Sequence, residues 1–158
     1  MLMHVDVVAV PNLSTPYVGL LFLVPVSAGY PSPADDYLEG SLDLNQHLIT
    51  HPTATFFVRV AGESMREAGI HSGDVLVVDR ALTPSDGSVV IAVVNGDLTV
   101  KRLSKRHGKL VLMPENQQFP PLPITETTTF EVWGVVTYVI HRVDRRQGGA
   151  SPWPHSLP

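Results

Sequence analysis

The sequence has no cysteine and few charged residues. The absence of cysteine excludes disulfide bonds, thiolate catalysis and cysteine-ligated zinc, and it is compatible with a reducing compartment, so we expect a cytoplasmic protein. Charged residues make up 16% of the chain and the net charge is −4, which argues against a general DNA-binding surface. Lysine and arginine are missing altogether before Arg59, so the first part of the chain is apolar and acidic.

The chain also lacks an apolar run long enough to cross a membrane. Residues 17–24 are apolar, but a spanning helix needs about 20 such residues. Together with Val26-Ser27-Ala28, which follow it, this run resembles the apolar middle and cleavage site of a secretion signal. A secretion signal also begins with positively charged residues, and residues 1–17 carry none. We therefore expect no membrane association and predict that residues 1–28 form an extended, proline-punctuated arm.

What is present favours β structure. With 158 residues and a hydrophobic fraction of 44%, the chain can form one compact domain with a buried core. Fourteen prolines and twelve glycines in short clusters mark many turns. We predict a mainly β fold, with a curved, mostly antiparallel sheet and short helical turns, over residues 29–143. A frayed tail is expected at residues 144–158.

The predicted strands are mostly rich in β-branched residues and are separated by turn signals. They cover residues 53–60, 74–79, 88–94, 98–103, 109–113 and 130–143, and short helical turns are expected at 32–37 and 42–49. Asn95-Gly96 between two apolar runs predicts a two-residue hairpin, because both residues tolerate the positive φ angles of a type I′ turn. Four prolines between residues 114 and 123 predict a loop.

A serine that directly follows a predicted strand is the first candidate for chemistry. In Gly62-Glu63-Ser64-Met65 the chain turns after the strand, which can expose a hydroxyl and leave backbone N–H groups free to face a substrate carbonyl. A loop serine alone has no catalytic meaning, because its hydroxyl is a weak nucleophile until a base removes its proton. The base has to come from elsewhere in the chain.

Histidine and lysine are the candidate bases. No Gly-x-Ser-x-Gly elbow surrounds Ser64, and no motif links it to any of the seven histidines. These are His4, His47, His51, His71, His107, His141 and His155. Lysine can serve instead when burial lowers its pKa. Alternation along the strand 98–103 puts Thr99, Lys101 and Leu103 on one face, but neither face is cleanly apolar. The pattern therefore allows either an inward-facing Lys101 or an ordinary exposed strand lysine.

Several separated motifs resemble one family of enzymes. Val60-Ala61-Gly62-Glu63-Ser64-Met65, the segment 69–79 and Thr99-Val100-Lys101-Arg102-Leu103 are similar to the catalytic half of the LexA/UmuD family of self-cleaving Ser-Lys peptidases. The step of 37 residues from Ser64 to Lys101 (101 − 64) also agrees with that family. Residues 29–37, 42–46 and 51–58 resemble the region that follows the cleavage site in its UmuD-type members. The resemblance covers residues 20–143.

The resemblance implies a site and a substrate. Ser64 is expected to be the nucleophile and Lys101 the general base, and the chain is expected to cut its own Ala28-Gly29 bond. The backbone N–H of Ser64, with that of Met65, is expected to hold the oxyanion, while the Met65 side chain could be groove wall or core. Glu63 is expected to point away, since a nearby carboxylate would raise the pKa of the lysine. No metal or other cofactor is expected.

The resemblance also implies a role in the SOS response to DNA damage. Self-cleavage is expected to be promoted by a RecA–single-stranded-DNA filament and to give a homodimer that serves an error-prone, UmuC-like Y-family polymerase in translesion synthesis. Three alternatives stay open from the residues: a LexA-like repressor fragment, a membrane signal peptidase and a non-catalytic interaction module. Against the first, the arm is too short for a repressor's DNA-binding domain and no helix-turn-helix is apparent, so we expect no sequence-specific DNA binding.

Overall fold

The computed structural model of the chain describes residues 3–11, 13, 18–22 and 38–144. The predicted cleavage site Ala28-Gly29, the helical turn predicted at 32–37 and nearly all of the predicted tail lie outside these residues. Of the described helices, none is both long enough and apolar enough to pass through a bilayer.

Ten β-strands and one short α-helix form in the described residues. The strands are β1 (His4–Ala9), β2 (Val18–Phe22), β3 (Leu38–Asp43), β4 (Thr55–Ala61), β5 (Val75–Asp79), β6 (Val89–Val94), β7 (Asp97–Arg106), β8 (Lys109–Met113), β9 (Leu122–Pro123) and β10 (Phe130–Ile140). The helix α1 spans Leu44–Leu48, and single turns of 3₁₀ helix span Pro52–Ala54 and Arg66–Ala68. The Asp43 side chain caps α1 by accepting from the Asn45 N–H.

The main sheet is antiparallel and closes on itself. Its eight strands lie in the order β1-β4-β5-β10-β6-β7-β8-β9. β1 also meets β7 at the pair His4–Thr99, so the strands from β1 to β7 in this order form a barrel-like ring. β8 and β9 extend the sheet beyond the ring, and β2 and β3 pair with each other in a separate sheet. The predicted mostly antiparallel β fold is confirmed.

The turn between β6 and β7 has the predicted hairpin geometry. Asn95 and Gly96 have φ angles of 50° and 86°, as a type I′ turn requires at both central positions. This turn sets the register of the pair, in which Val94 lies opposite Asp97 and Val90 opposite Lys101. The position of Lys101 in the sheet therefore follows from a local sequence signal.

Register shifts bend the strands that form the ring. In β10, one shift lies between Val132 and Gly134 and another between Val136 and Tyr138. A third lies in β1 between Val5 and Val7. Because a β-bulge increases the local twist and bends its strand, these shifts provide the curvature that closure of the sheet requires.

The two faces of the sheet carry separate hydrophobic clusters. The larger contains Met3, Phe56, Val58, Val60, Met65, Ile70, Leu76, Val78, Ile91 and Val100. The smaller contains Val90, Ala92, Val94, Leu103 and Leu112. Since neighbouring residues in a strand point to opposite faces, β7 contributes Val100 to one cluster and Leu103 to the other. Both faces of this strand are therefore covered, although neither is apolar throughout.

The predicted arm differs from expectation because its described residues form paired strands, and residues 18–22 form β2, which pairs with β3. Its first described segment is extended, as predicted, but it forms β1 and pairs with β4 along Val5–Val60 and Ala9–Phe57. The reason is that closure of the ring needs a strand between β4 and β7, which no local pattern indicates. Elsewhere the predicted strands are confirmed with shifted ends, β10 stops at Ile140 and the predicted loop 114–123 contains the two-residue β9.

Candidate active site

Ser64 lies in a tight turn just beyond β4. The strand ends at Ala61, and Gly62 takes a φ angle of 104°, a left-handed conformation that other residues rarely adopt. The following residues enter the 3₁₀ turn Arg66–Ala68. This sharp change of direction places the Ser64 side chain inside the molecule, where it is fully buried.

The turn that carries Ser64 is hydrogen-bonded to the segment that follows β8. The Ser64 carbonyl accepts from the Glu115 N–H at 2.8 Å, and the Glu115 carbonyl accepts from the Glu67 N–H at 2.7 Å. The Asn116 side-chain amide donates to the Glu63 carbonyl at 2.8 Å. Arg102 forms an ion pair with the Glu115 carboxylate, which links the same segment to β7. The serine is thus held by backbone contacts on both sides and does not sit on a free loop.

Lys101 points inward from β7, and its pKa is lowered well below the ordinary lysine value. Its side chain is only 4% exposed, and burial lowers its pKa from 10.5 to about 8. The cause is desolvation, because removal of water disfavours the ammonium form. The sequence pattern left an exposed strand lysine open, and the structure excludes that alternative.

The Lys101 amine has three hydrogen-bond partners, one for each hydrogen of its ammonium form. Nζ lies 3.0 Å from Ser64 Oγ, 3.1 Å from Thr99 Oγ1 and 3.0 Å from the Val100 carbonyl oxygen. As an ammonium, the group can donate to all three. As a neutral amine, it can donate to Thr99 and Val100 and accept the Ser64 hydroxyl hydrogen on its lone pair. The arrangement therefore suits both protonation states, as a general base requires.

Met3, the residue just before β1, lies against this pair. The Met3 N–H donates to Ser64 Oγ at 3.1 Å, and the Met3 carbonyl accepts from Thr99 Oγ1 at 3.1 Å. The Met3 side chain is 1% exposed and belongs to the larger hydrophobic cluster. Met3 therefore contacts both the serine and the residue that orients the lysine.

A cleft of about 860 Å³ opens beside the lysine. Its lining is mostly apolar and includes Val5, Val94, Leu98, Thr99, Lys101 and Phe119. A groove of this kind can hold an extended peptide with apolar side chains, because backbone groups at a strand edge pair with it while side chains enter pockets.

The structure brings Ser64 and Lys101 together, whereas Ala28 and Gly29 lie outside the described residues. The Met65 side chain is fully buried in the larger hydrophobic cluster, so of its two predicted positions it takes the core. Glu63 is half-buried, and its outward orientation stays a prediction. Among the histidines, His51 lies against Asp79, and both His71 and His141 lie against Asp74.

Sequence reasoning missed the residues that hold the pair in place. Thr99 shares a strand face with Lys101 at a spacing of two residues, so alternation could have identified it as a partner of the amine. Met3 is 61 residues from Ser64, and Asn116 is 53 residues from Glu63. No local signal indicates contacts between positions so far apart in the chain.

Comparison with known proteins gives the class of this chain. A model of the family described as Peptidase S24-like matches residues 20–137. Protein MucA of Salmonella typhimurium is 44% identical over 137 residues, covering 86% of this chain and 93% of MucA. Protein SamA of Salmonella typhimurium strain LT2 is 48% identical over 122 residues, covering 77% and 84%. Protein ImpA of Escherichia coli is 47% identical over 132 residues, covering 84% and 90%. The chain belongs to the Peptidase S24-like family and is a UmuD-type member of it.

The pKa of Lys101 can be measured directly, because the chain has only three lysines, at positions 101, 105 and 109. In protein with ¹³C-labelled lysine, we expect the Lys101 Cε signal to titrate with a midpoint of about 8, since burial disfavours its charge. Loss of that signal in Lys101→Met assigns it. A midpoint near the ordinary lysine value of about 10.4 would contradict the buried, desolvated amine.

Proposed function

We propose that this chain is a self-cleaving serine endopeptidase of the SOS response, which cuts its own Ala28-Gly29 bond with Ser64 as nucleophile and Lys101 as general base. The observation that carries the proposal is the 3.0 Å contact between Lys101 Nζ and Ser64 Oγ, with both side chains buried. Membership of the Peptidase S24-like family supports it. No metal or other cofactor is needed for this chemistry.

Acylation begins with neutral Lys101. The Ser64 hydroxyl donates to Nζ, the amine takes its proton, and Oγ attacks the carbonyl carbon of Ala28. The resulting ammonium then gives a proton to the Gly29 nitrogen as the bond between Ala28 and Gly29 breaks. The chain from residue 29 leaves with a free amino group, and Ala28 stays attached to Ser64 as an ester.

Deacylation uses the same lysine a second time. Lys101, neutral again after the leaving amine has taken its proton, removes a proton from a water molecule that attacks the ester carbonyl. The ester bond breaks, the Ser64 oxygen recovers a proton, and the carboxylate of Ala28 is released. Thr99 and the Val100 carbonyl hold the amine in place throughout, because each accepts one of its hydrogens.

The oxyanion of each tetrahedral intermediate needs hydrogen-bond donors. The backbone N–H groups of Ser64 and Met65 donate to no residue in the described part of the chain. They follow Gly62 in the same turn, whose geometry is held by the contacts to Glu115 and Asn116. Preorganised N–H groups of this kind stabilise developing charge without reorganisation at the moment of reaction.

Met3, just before β1, blocks access to the Ser64 hydroxyl. The Met3 amide is 3.1 Å from Ser64 Oγ, so the Ala28 carbonyl can reach the hydroxyl only when residue 3 moves aside. The cleft beside Lys101 offers the cleavage segment a groove of apolar lining, and Val24-Pro25-Val26 precede the bond. Resting and cleavable conformers therefore differ in which segment occupies the site.

A RecA–single-stranded-DNA filament acts on this equilibrium. The filament supplies no catalytic residue; it favours the conformer in which residues 24–29 lie in the groove. A partner can shift such an equilibrium only by its differential affinity for the two conformers, so we place its contact on the arm or the groove rim.

The product is residues 29–158, a chain of 130 residues (158 − 28). We propose that it forms a homodimer in the cytoplasm and acts as accessory subunit of a UmuC-like Y-family polymerase in translesion synthesis. Exposed apolar side chains at the end of β10 support an interaction surface there; they are Tyr138, Val139, Ile140 and Val143. The UmuD-type relationship supports the link with SOS mutagenesis.

Self-cleavage has a defined pH dependence. The deprotonated fraction of a lysine with a pKa of about 8 rises about tenfold between pH 7 and pH 10, so the cleavage rate without any partner rises by that factor and levels off above the pKa. Intact-mass analysis at the two pH values follows the appearance of the 130-residue product (158 − 28).

Three variants distinguish cleavage that depends on Ser64 and Lys101 from cleavage caused by high pH alone. Ser64→Ala and Lys101→Arg are expected to stay whole, because alanine offers no nucleophile and a guanidinium does not lose its proton. Lys105→Arg, in the same strand but exposed, is the matched control and cleaves like the wild type. A wild-type chain that stays whole at pH 10, even with RecA filaments, contradicts the proposal, as does cleavage of Ser64→Ala.

Replacement of Met3 tests the competition for Ser64. Met3→Pro removes the N–H that donates to Ser64 Oγ, so we expect cleavage at pH 10 to be several-fold faster. Met3→Leu keeps both the N–H and an apolar side chain of similar size, and it is expected to cleave at the wild-type rate. Equal rates for the two variants would show that the Met3 contact does not limit access to Ser64.

The homodimer can be tested by sedimentation equilibrium of the 29–158 product. We expect twice the mass of one 130-residue chain (158 − 28) at micromolar concentration, because loss of the apolar arm exposes surface that a second copy can cover. A monomer throughout the micromolar range would leave the peptidase proposal intact and remove the dimer from it.

A further inference from the structure

A cluster of metal-ligating side chains lies at the far end of the loop that carries Ser64. His71 and Asp74 lie between Ile70 and β5, and His141 directly follows β10. Because β10 runs antiparallel to β5, with Ile140 opposite Val75, the end of one strand lies beside the start of the other. One ligand atom from each of the three residues lies within 4.8 Å of the others.

The carboxylate in this cluster is rigidly held. Asp74 is 3% exposed, and its backbone N–H donates to the His71 carbonyl while its carbonyl accepts from the Val60 N–H. Asp74 Oδ2 accepts from the His71 N–H at 2.8 Å, and Oδ1 lies 2.6 Å from His141 Nδ1. A buried carboxylate between two imidazoles strongly attracts a cation.

The His71 ring gives an independent indication of a missing partner. Its Nδ1 atom is buried and makes no hydrogen bond, and it is 3.8 Å from Asp74 Oδ2, which is too long for one. A buried polar atom without a partner costs free energy, so such atoms are rare in folded proteins. An ion between His71 and His141, whose ring centroids are 4.8 Å apart, would remove this cost.

We propose that His71, Asp74 and His141 form a binding site for one divalent transition-metal ion of the zinc class. Two imidazole nitrogens and one carboxylate oxygen suit zinc, cobalt, nickel or copper, whereas calcium and magnesium prefer oxygen ligands throughout. Three protein ligands leave a further position for water. The site is separate from the Ser64–Lys101 pair, and its existence does not depend on the proposed peptidase activity.

Small side-chain movements bring the three atoms to coordination distance. With zinc–ligand bonds of about 2.0–2.1 Å, tetrahedral ligand atoms lie roughly 3.3 Å apart. The His141 contact therefore opens slightly from 2.6 Å, and His71 Nδ1 moves inward. The two imidazole side chains are 42% and 45% exposed, so their rings can rotate while Asp74 stays fixed.

A bound ion would join the loop after the nucleophile to the end of β10. Since a ligand that binds only the folded state stabilises that state, the metal is expected to raise the unfolding temperature. All three ligands follow the Ala28-Gly29 bond in the chain, so the cleavage product contains all of them and the site can be studied in the full chain.

The test uses untagged full-length protein, freed of metal with a chelator and titrated with zinc by calorimetry and with cobalt by visible absorption. We expect one ion per chain, the d–d bands of tetrahedral cobalt, and an increase of several degrees in the unfolding temperature with zinc. His71→Gln and His141→Gln are each expected to weaken binding at least tenfold and to abolish the thermal shift.

The chain offers a matched control in His51→Gln. His51 Nδ1 also lies 2.6 Å from a buried carboxylate, that of Asp79, but the described residues provide no third ligand there. This variant is expected to bind zinc like the wild type. Absence of binding at millimolar zinc would overturn the proposal, as would unchanged affinity in His71→Gln and His141→Gln. Unfolding temperatures without metal show that each variant is folded, so a loss of affinity is not a loss of structure.

Discussion

The Lys101 amine is buried against Ser64 at the point where β1 closes the sheet between β4 and β7. These two strands are not neighbours, and Ser64, just beyond the end of β4, meets Lys101 of β7 where β1 pairs with both. Met3 marks this junction, because it contacts Ser64 through its N–H and Thr99 through its carbonyl. Exclusion of water lowers the pKa of the amine, and three hydrogen bonds keep it satisfied. Closure of the sheet and the lowered pKa of Lys101 therefore have a common cause.

The rigidity of the turn that carries Ser64 depends on long-range contacts. The turn after β4 has no regular secondary structure except one 3₁₀ turn, so its own hydrogen bonds do not hold it. The segment after β8 supplies the missing partners through Glu115 and Asn116, and the fully buried Met65 anchors the turn in the larger hydrophobic cluster. A side chain that could have lined the groove therefore serves to position the serine. Such support matters because a displacement of about 1 Å at a reacting atom can cost a hundredfold in rate.

The loop between β4 and β5 carries two kinds of chemistry at its two ends. Ser64 lies near its start, in a water-excluded place that favours a neutral amine. His71 and Asp74 lie near its end, where half-exposed imidazoles surround a buried carboxylate and favour a cation. Backbone hydrogen bonds from β4 to Gly73 and Asp74 separate the two environments. An ion at the second site would stabilise the same loop that carries Ser64, without contacting Ser64 or Lys101.

The sequence by itself determined most of the strands and the Asn95-Gly96 hairpin, because alternation and turn chemistry are local. The Ser64–Lys101 pair was predicted from the resemblance of the motifs around both residues to a known family. Alternation also put Thr99 beside Lys101, but it could not decide whether that face is buried. Burial depends on what covers the face, and the covering atoms come from Ser64 and Met3, 37 and about 100 residues away in the chain. The tertiary structure alone therefore decided the inward orientation of Lys101, the core position of Met65 and the meeting of His141 with Asp74 across 67 residues. Each is a contact between segments distant in the chain, which only the folded sheet brings together.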